Sequence, residues 1–142
     1  MSAPRPATER HPNGVLDTST VILLKRVDPD SLPASPLITT VTLAELSVGP
    51  HLAETDEDRA IRQAHLQQAE HDFEALPFDA PAARAFGQVS AALRSTGRKP
   101  SARAFDALIA AIALSEDLPV YTANPRDFEG IPGLTVHTVD WR

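Results

Sequence analysis

Short apolar runs alternate with helical patterns along most of this 142-residue chain. The runs are Val15-Leu16, Leu37-Ile38-Thr39, and the stretches at 118–122 and 134–139. Between them lie longer segments in which apolar residues recur every three or four positions, as on one face of a helix. Buried strands that alternate with helices are typical of a parallel sheet covered by helices on both faces. The sequence therefore predicts an α/β fold with a central parallel sheet.

The chain length is that of one ordinary domain. Residues 1–13 mix proline and polar residues without a period, and they predict a flexible N-terminal extension. Residues 14–142 are predicted to form a single domain. Within it, the charged, proline-rich segment 25–36 is predicted to be a loop or a broken helix.

Five helices are predicted between the strands. Thr42 and Glu45 have the spacing of a capping box, which predicts a helix that starts there and runs to about Gly49-Pro50. Asp79 and Ser101 are predicted N-caps of two later helices. The other four helices are predicted at 21–24, 56–76, 80–96 and 102–117.

The composition excludes several classes of chemistry. The chain has no cysteine, so it has no disulfide, thiolate nucleophile or cysteine-bound metal. Its five histidines lack the HExxH spacing, and no GxxxxGK[ST], GxGxxG or GxSxG motif is present. No apolar run has the length of a signal peptide or of a membrane span. We expect a cytoplasmic protein that does not enter a membrane.

Four carboxylates are predicted at the same edge of the sheet. Asp17 ends the first strand, Glu45 lies near the start of the helix after the second, Asp106 lies early in the last helix, and Asp127 follows the strand ending at Thr122. Each carboxylate has a structural interpretation, because acids near helix N-termini cap free N–H groups. Ligands of parallel α/β proteins, however, collect where strands end, and all four acids fall there.

Clustered carboxylates repel one another unless a cation neutralises them. Mg²⁺ or Mn²⁺ accepts oxygen ligands and can activate water for attack on a phosphodiester. The sequence therefore predicts a divalent metal site with catalytic carboxylates. The hydroxyls of Thr18, Ser19 and Thr122 have two interpretations: they orient the acids and metal-bound water, or they cap local backbone.

The formal net charge of −6 is unfavourable for a protein that approaches a polyanion. A basic stretch interrupts this acidity, and its members are Arg94, Arg98, Lys99 and Arg103. We keep two interpretations of it: contacts to a polyanion, or a solvated surface.

Four segments of the chain, taken in order, resemble the PIN-domain ribonucleases and, among them, the VapC toxins of toxin–antitoxin pairs. The segments are Val15-Leu16-Asp17-Thr18-Ser19, Thr42-Leu43-Ala44-Glu45-Leu46, Phe105-Asp106-Ala107-Leu108-Ile109-Ala110-Ala111 and Tyr121-Thr122-Ala123-Asn124-Pro125-Arg126-Asp127-Phe128. The resemblance implies a three-layer α/β/α fold and a Mg²⁺ or Mn²⁺ site at Asp17, Glu45 and Asp106. It also implies cleavage of RNA that arrests translation.

At the fourth metal position the resemblance leaves a choice between Asn124 and Asp127. We favour Asp127 as the acid and Asn124 as a hydrogen-bonding support. The resemblance further implies a VapB-type antitoxin that covers the acidic pocket, and a homodimer. Alternative functions are a non-catalytic interaction module, a nuclease for DNA flaps, and a phosphatase, although Asp17-Thr18-Ser19 lacks the second aspartate of a DxD motif.

Overall fold

The structure is a computed structural model that describes residues 12–97 and 104–142. The predicted extension at 1–13 lies outside the described residues except for Pro12 and Asn13. Asn13 belongs to the first strand, and the predicted domain bounds stay a prediction. Arg98, Lys99, Ser101 and Arg103 also lie outside the described residues, and the predicted cap at Ser101 stays a prediction.

Five strands form one sheet in which all neighbours are parallel. Their spatial order is β3-β2-β1-β4-β5. The strands are β1 (Asn13–Leu16), β2 (Ser35–Thr39), β3 (Ala75–Leu76), β4 (Val120–Thr122) and β5 (Val136–Thr138). This sheet confirms the predicted α/β class.

Helices connect successive strands. They are α1 (Thr18–Ile22), α2 (Thr40–Leu52), α3 (Asp56–Asp72), α4 (Ala80–Ser95) and α5 (Ala104–Ser115). Short 3-10 helices occur at Leu24–Arg26, Pro29–Ser31 and Pro125–Phe128. The first two overlap the charged segment 25–36. They confirm the prediction that this segment is a loop or a broken helix. Among the described helices, none is long and apolar enough to cross a membrane.

The sheet separates two apolar layers, because successive strand residues point to opposite faces. Val15 and Val120 contact the layer formed with α4 and α5, where Leu93 and Ile109 are buried. The next residue of β1, Leu16, lies in the opposite layer, which includes buried residues of α1, α2 and α3. These two layers make the three-layer α/β/α arrangement that the resemblance implied.

The capping box predicted at Thr42 and Glu45 is wrong. Helix α2 begins at Thr40, and the side chain of Thr39 is its N-cap, accepting a hydrogen bond from the Thr42 N–H at 3.2 Å. Glu45 therefore lies in the second turn of α2, beyond the free N–H groups of the helix end. Its carboxylate is not used for capping.

The helix predicted to reach residue 76 is also wrong at its C-terminal end. Helix α3 ends at Asp72, and Ala75–Leu76 forms the edge strand β3 beside β2. Phe73 and Leu76 continue the helical spacing of apolar residues, so the sequence pattern alone favours helix there. Pairing of Ala75 with Ile38 of β2 decides the outcome, which is a tertiary effect.

The strand order changes direction at β1. From β1 the chain adds β2 and β3 on one side, and later β4 and β5 on the other. In open parallel sheets, such a reversal leaves a crevice at the carboxyl ends of the two central strands. Here these strands are β1 and β4, which end at Leu16 and Thr122.

Candidate metal centre

Asp17 follows β1 directly and is the N-cap of α1. Its carboxylate is 2% exposed. Oδ1 accepts hydrogen bonds from the Thr20 N–H at 3.1 Å and from the Thr20 hydroxyl at 2.6 Å. The Ser19 hydroxyl lies 3.0 Å from Oδ2. The capping interpretation of Asp17 is therefore correct, but one cap does not account for this number of donors.

Thr122, the last residue of β4, connects this carboxylate to the neighbouring strand. Its hydroxyl donates to Oδ2 of Asp17 at 2.7 Å and accepts a hydrogen bond from the Asn124 N–H at 2.9 Å. Both Asp17 and Thr122 are buried. The hydroxyl thus joins the ends of β1 and β4 across the crevice.

Glu45 enters the same crevice from α2. The Thr18 hydroxyl donates to its Oε1 at 2.5 Å. Thr18 also lies 2.9 Å from the Thr42 hydroxyl. Because the single hydroxyl hydrogen of Thr18 is used on Glu45, Thr42 donates to Thr18. The resulting chain of hydrogen bonds, from Thr42 through Thr18 to Glu45, fixes where this carboxylate points.

The environment of Glu45 opposes its negative charge. Burial raises the pKa of the Glu45 carboxyl above its ordinary value, the hydrogen bond from Thr18 lowers it, and the charge of Asp17 raises it again. The net pKa is raised. Two carboxylates thus share a poorly hydrated crevice and repel each other, an arrangement that a cation relieves.

Asp106 lies in α5, and Asp127 lies in the 3-10 helix that follows β4. Asp106 lies in the first turn of α5, which packs against α2, and it is half-buried. Asp127 lies in the 3-10 helix after β4, where its N–H bonds to the Asn124 carbonyl at 3.0 Å. Within residues 12–97 and 104–142, no three histidine, aspartate or glutamate side chains form a group that could hold a metal ion. The metal-binding roles of Asp106 and Asp127, and the supporting role of the Asn124 side chain, stay predictions.

The pair formed by Asp17 and Glu45 fits a hard divalent cation on chemical grounds. Mg²⁺ keeps several waters and is usually held by one or two carboxylates together with substrate phosphate oxygens. A full cage of protein ligands is therefore not required. The hydroxyls of Thr18, Ser19 and Thr122 all contact these two carboxylates, which supports their predicted orienting role.

Two site residues were not predicted from the sequence, Thr20 and Thr42. Both are fully buried, and their hydroxyls contact Asp17 and Thr18, respectively. Thr20 stands three positions after the cap Asp17, which is the only local signal for its contact. Thr42 was interpreted as a cap, and only the packing of α1 on α2 reveals its actual partner.

A cleft of about 390 Å³ opens beside the pair. Thr18 and Glu45 line one end of it, and Arg62 and His65 of α3 line another part. Arg62 is held by Asp58 at 3.1 Å and by the Gly49 carbonyl at 3.1 Å. Glu45 is therefore accessible to a ligand from the side where α1, α2 and α3 meet, whereas Asp17 does not line this cleft.

The model of the PIN domain matches residues 15–134, which span β1 to the approach of β5 and include all four predicted carboxylates. This match covers most of the chain. The chain belongs to the PIN-domain family.

Among PIN-domain proteins, the chain groups with the VapC proteins, as its four sequence segments predicted. It is 41% identical to Ribonuclease VapC5 of Mycobacterium tuberculosis over 123 residues, covering 84% of this chain and 88% of that protein. It is 35% identical to the tRNA(fMet)-specific endonuclease VapC of Shigella flexneri over 105 residues, covering 73% and 74%.

Solved structures agree with this grouping. The VapBC-5 crystal structure from Mycobacterium tuberculosis matches with a TM-score of 0.78 and 37% identity, covering 89% of this PIN domain chain and 98% of the matched chain. The DNA-bound VapBC structure from Salmonella typhimurium matches with a TM-score of 0.68 and 28% identity, covering 89% and 97%. The first of these is described as a member of the VapBC family of toxin–antitoxin systems.

Proposed function

We propose that this chain is the ribonuclease toxin of a VapBC-type toxin–antitoxin pair, and that it hydrolyses RNA with the help of Mg²⁺ or Mn²⁺. The observation that carries the proposal is the pair formed by buried Asp17 and half-buried Glu45 at the strand reversal of a PIN-domain chain. The names of its relatives, Ribonuclease VapC5 and tRNA(fMet)-specific endonuclease VapC, support RNA as the substrate.

The residues of the chain act mainly by holding and orienting. When bound, the metal supplies a polarised water and neutralises charge on the scissile phosphate. Asp17 is fixed by Thr20, Ser19 and Thr122, so its oxygens keep one orientation. No covalent step on the protein is needed, because water is the nucleophile.

Glu45 contributes a second oxygen donor whose charge is costly without a cation. Its burial and its repulsion by Asp17 make the cation-bound state favourable relative to the empty, doubly charged state. Thr18 holds the Glu45 carboxylate in place while Thr42 holds Thr18. We propose that Asp106 and Asp127 complete the acidic pocket when metal and RNA are bound.

The proposed partners follow from the same relationship. VapBC complexes among the matched structures support a VapB-type antitoxin as the protein that covers the pocket. We further propose that the toxin acts as a homodimer and that RNA cleavage inhibits translation.

The test is an RNA cleavage assay on the purified chain with Mg²⁺, Mn²⁺ or a chelator. Cleavage is expected only with metal, and Asp17→Asn and Glu45→Gln are expected to lower its rate at least about a hundred-fold, the scale for removing a group that stabilises charge in the transition state. Asp106→Asn and Asp127→Asn test the other two predicted acids. Glu116→Gln, an exposed acid just beyond α5, is the matched control and should leave the rate unchanged.

Three outcomes would contradict the proposal. RNA cleavage that persists in Asp17→Asn would remove the carboxylate pair from the mechanism. Preference for flap DNA in the same assay would favour a structure-specific DNA nuclease. Absence of cleavage, while Mn²⁺ still raises the melting temperature of the chain, would favour a non-catalytic interaction module.

Arg94 is the described member of the basic stretch, and it lies exposed in the last turn of α4. We propose that it contacts an RNA phosphate, together with Arg98, Lys99 and Arg103. Arg94→Glu should weaken RNA binding and reduce its dependence on salt, because fewer counterions are released. An unchanged salt dependence of RNA binding would show that Arg94 is a solvated surface residue that does not contact RNA.

A further inference from the structure

The C-terminal segment 139–142 is hydrogen-bonded to residues 26–28, which follow α1. Asp28 donates its N–H to the Asp140 carbonyl at 2.7 Å, and Arg142 donates its N–H to the Arg26 carbonyl at 3.1 Å. Val27 and Trp141 form an antiparallel bridge between these bonds. Backbone contacts therefore fix both Arg26 and Trp141, and we call these two segments the C-terminal clasp.

The side chains of the clasp point outward as an aromatic and basic pair. The guanidinium of Arg26 lies 5.1 Å from the centroid of the Trp141 ring, a cation–π distance, and its Nε donates to the Arg142 carbonyl. Trp141 is nevertheless 48% exposed. The apolar layer beneath is already closed by Val27 and Val139, which are 5% and 2% exposed. Burial of the core thus does not require an indole at position 141.

The clasp lies at the same edge of the sheet as the candidate metal centre, where the strands end. The N–H of Val139, two residues before Trp141, bonds to the carbonyl of Thr122 at 2.9 Å. Thr122 in turn holds Asp17. Along the other segment, α1 and one 3-10 helix separate Asp17 from Arg26, which limits the distance between them to roughly 20 Å.

Three neighbouring cavities lie along α1 and the 3-10 helix that follows it. The cleft lined by Glu45 shares Ile22 with a neighbouring cavity of about 500 Å³. That cavity shares Arg26 with a third one, of about 690 Å³, which Trp141 lines. The cavities are therefore adjacent, with Glu45 lining the first and Trp141 lining the third.

We propose that Trp141 and Arg26 form a subsite for RNA in which the exposed indole stacks on one unpaired base and Arg26 attracts an adjoining phosphate. This proposal rests on the proposed ribonuclease function. Aromatic rings bind single-stranded bases of any sequence by stacking, and nearby arginines add electrostatic attraction. The subsite would hold the substrate a few nucleotides from the scissile bond.

The charges around the clasp favour a nucleic acid over a protein partner. The cavity beside Trp141 is lined by three cations, Lys25, Arg26 and Arg142, and by two acids, Asp28 and Asp140. The Asp28 carboxylate is engaged locally by the Asp30 N–H at 3.0 Å. The lining side chains thus carry one more positive than negative charge, which makes this place less repulsive to a polyanion than the chain as a whole, whose net charge is −6.

The experiment uses the fact that Trp141 is the only tryptophan of the chain. A short unstructured RNA, labelled at one end, is titrated into the full-length Asp17→Asn chain, which should bind without cutting. Indole fluorescence and anisotropy of the label are recorded together. We expect the RNA to quench the fluorescence, with the same half-saturation that the anisotropy gives.

Variants in the same Asp17→Asn background measure what the ring contributes. Trp141→Ala should weaken RNA binding by about five-fold to a hundred-fold, the range for loss of one stacked base, and Trp141→Phe should recover much of it. Arg26→Gln should weaken binding and flatten its salt dependence. Phe78→Ala is the matched control: Phe78 is 39% exposed but follows β3 at the opposite edge of the sheet, so RNA affinity should not change.

A dinucleotide substrate distinguishes an RNA-binding role of Trp141 from a purely structural role, because a dinucleotide is too short to reach Trp141 from the scissile bond. With otherwise wild-type protein, Trp141→Ala should slow cleavage of longer RNA at low concentration and leave dinucleotide cleavage intact. Equal losses on both substrates, unrelieved in Trp141→Phe, would assign Trp141 a structural role and overturn the subsite.

Two further results would overturn it. Saturable RNA binding by anisotropy without any change in indole fluorescence would place the RNA elsewhere and leave the ribonuclease function standing. Loss of antitoxin binding in Trp141→Ala, with unchanged RNA affinity, would make the clasp a protein-binding surface. If the wild-type chain neither bound nor cut RNA, the ribonuclease function and the subsite would fail together.

Discussion

The Thr122 hydroxyl donates a 2.7 Å hydrogen bond to Oδ2 of Asp17, although the two residues are 105 positions apart. Both side chains are buried at the carboxyl ends of neighbouring strands. The bond therefore stabilises a negative charge where water is largely excluded, and it also fixes the distance between β1 and β4 at the crevice. Changes at either residue should affect the fold and the site together.

Replacing Thr122 with valine removes this donor while keeping the shape of the side chain. A lost hydrogen bond to a buried charged group costs roughly 1.5–3 kcal/mol, and we expect that decrease in the free energy of unfolding. Denaturant titration measures it. Thr138→Val, at an exposed position of β5, is the control and should change stability by less than about 0.5 kcal/mol. Equal effects at the two positions would contradict a special role for the bond to Asp17.

Glu45→Gln should alter how stability depends on pH. The pKa of Glu45 is raised from about 4.5 in the fold, chiefly by burial, whereas the unfolded chain keeps the ordinary value. Between these two values the folded protein binds more protons than the unfolded one, so the free energy of unfolding falls as pH rises. Glutamine has no such titration. The variant should therefore gain stability relative to the wild type as pH increases from about 4.5 toward neutrality.

Denaturant titrations of both proteins at a series of pH values test this expectation. Thr18→Val provides an independent check, because it removes the hydrogen bond that lowers the Glu45 pKa. Its stability should decrease more steeply with pH than that of the wild type. A difference between Glu45→Gln and wild type that is constant across the series would show that the carboxyl does not titrate differently in the fold.

Divalent metal should stabilise the folded chain, and more so at neutral than at acidic pH. A ligand that binds only the folded state adds about 2.7 kcal/mol at a hundred times its Kd. Because the ion must displace protons from the carboxyls, acid weakens the effect. Melting temperatures with and without Mn²⁺ report it. Glu45→Gln and Asp17→Asn should reduce the shift, whereas a full shift in the double variant would place the metal elsewhere.

Gly14→Ala should destabilise the sheet beside the site. A Cβ at this position of β1 would lie 2.5 Å from Cε1 of Tyr121, the residue before Thr122. Overpacking of this kind costs about 1–3 kcal/mol, measured as a lower free energy of unfolding. Gly87→Ala is the matched change, because a Cβ there meets nothing within 4 Å on helix α4, and it should add about 0.5–1 kcal/mol. A neutral Gly14→Ala would mean that Tyr121 can move without cost.

The sequence predicted the features that depend on burial patterns. Val15-Leu16 and, within the run at 118–122, Val120–Thr122 form strands because they are buried on both faces of a parallel sheet. Asp79 caps α4 as expected, since its side chain accepts from the Ala82 N–H at 3.1 Å. These signals are local, so they can be interpreted without knowing the neighbours.

Features that depend on distant partners could not be predicted. The threonines at positions 39, 40 and 42 are equivalent as local caps, and the end of β2 decides that Thr39 is used. Strand β3 has two residues and is too short for a pattern of its own. The bridge between Val27 and Trp141 joins two residues that are far apart in the sequence, and no local pattern near either residue predicts it.

The same distinction applies to the site. The sequence placed Asp17 and Glu45 at one edge of the sheet, and the structure brings them close enough to repel each other, with Thr18 bonded to Glu45. It could not say that Glu45 lies outside the cap of α2. It also missed the hydroxyls of Thr20 and Thr42, because threonines in helices have no distinguishing local pattern.

The position of β1 in the middle of the sheet has a consequence during protein synthesis. β1 is the first strand to leave the ribosome, but its neighbour β4 comes from the last quarter of the chain. Until Thr122 has emerged, Asp17 lacks the hydroxyl donor from β4 and β1 lacks its second neighbour. Nascent chains and prematurely terminated fragments that lack Thr122 are therefore unable to complete the crevice. The complete site forms only when translation of the message has nearly finished.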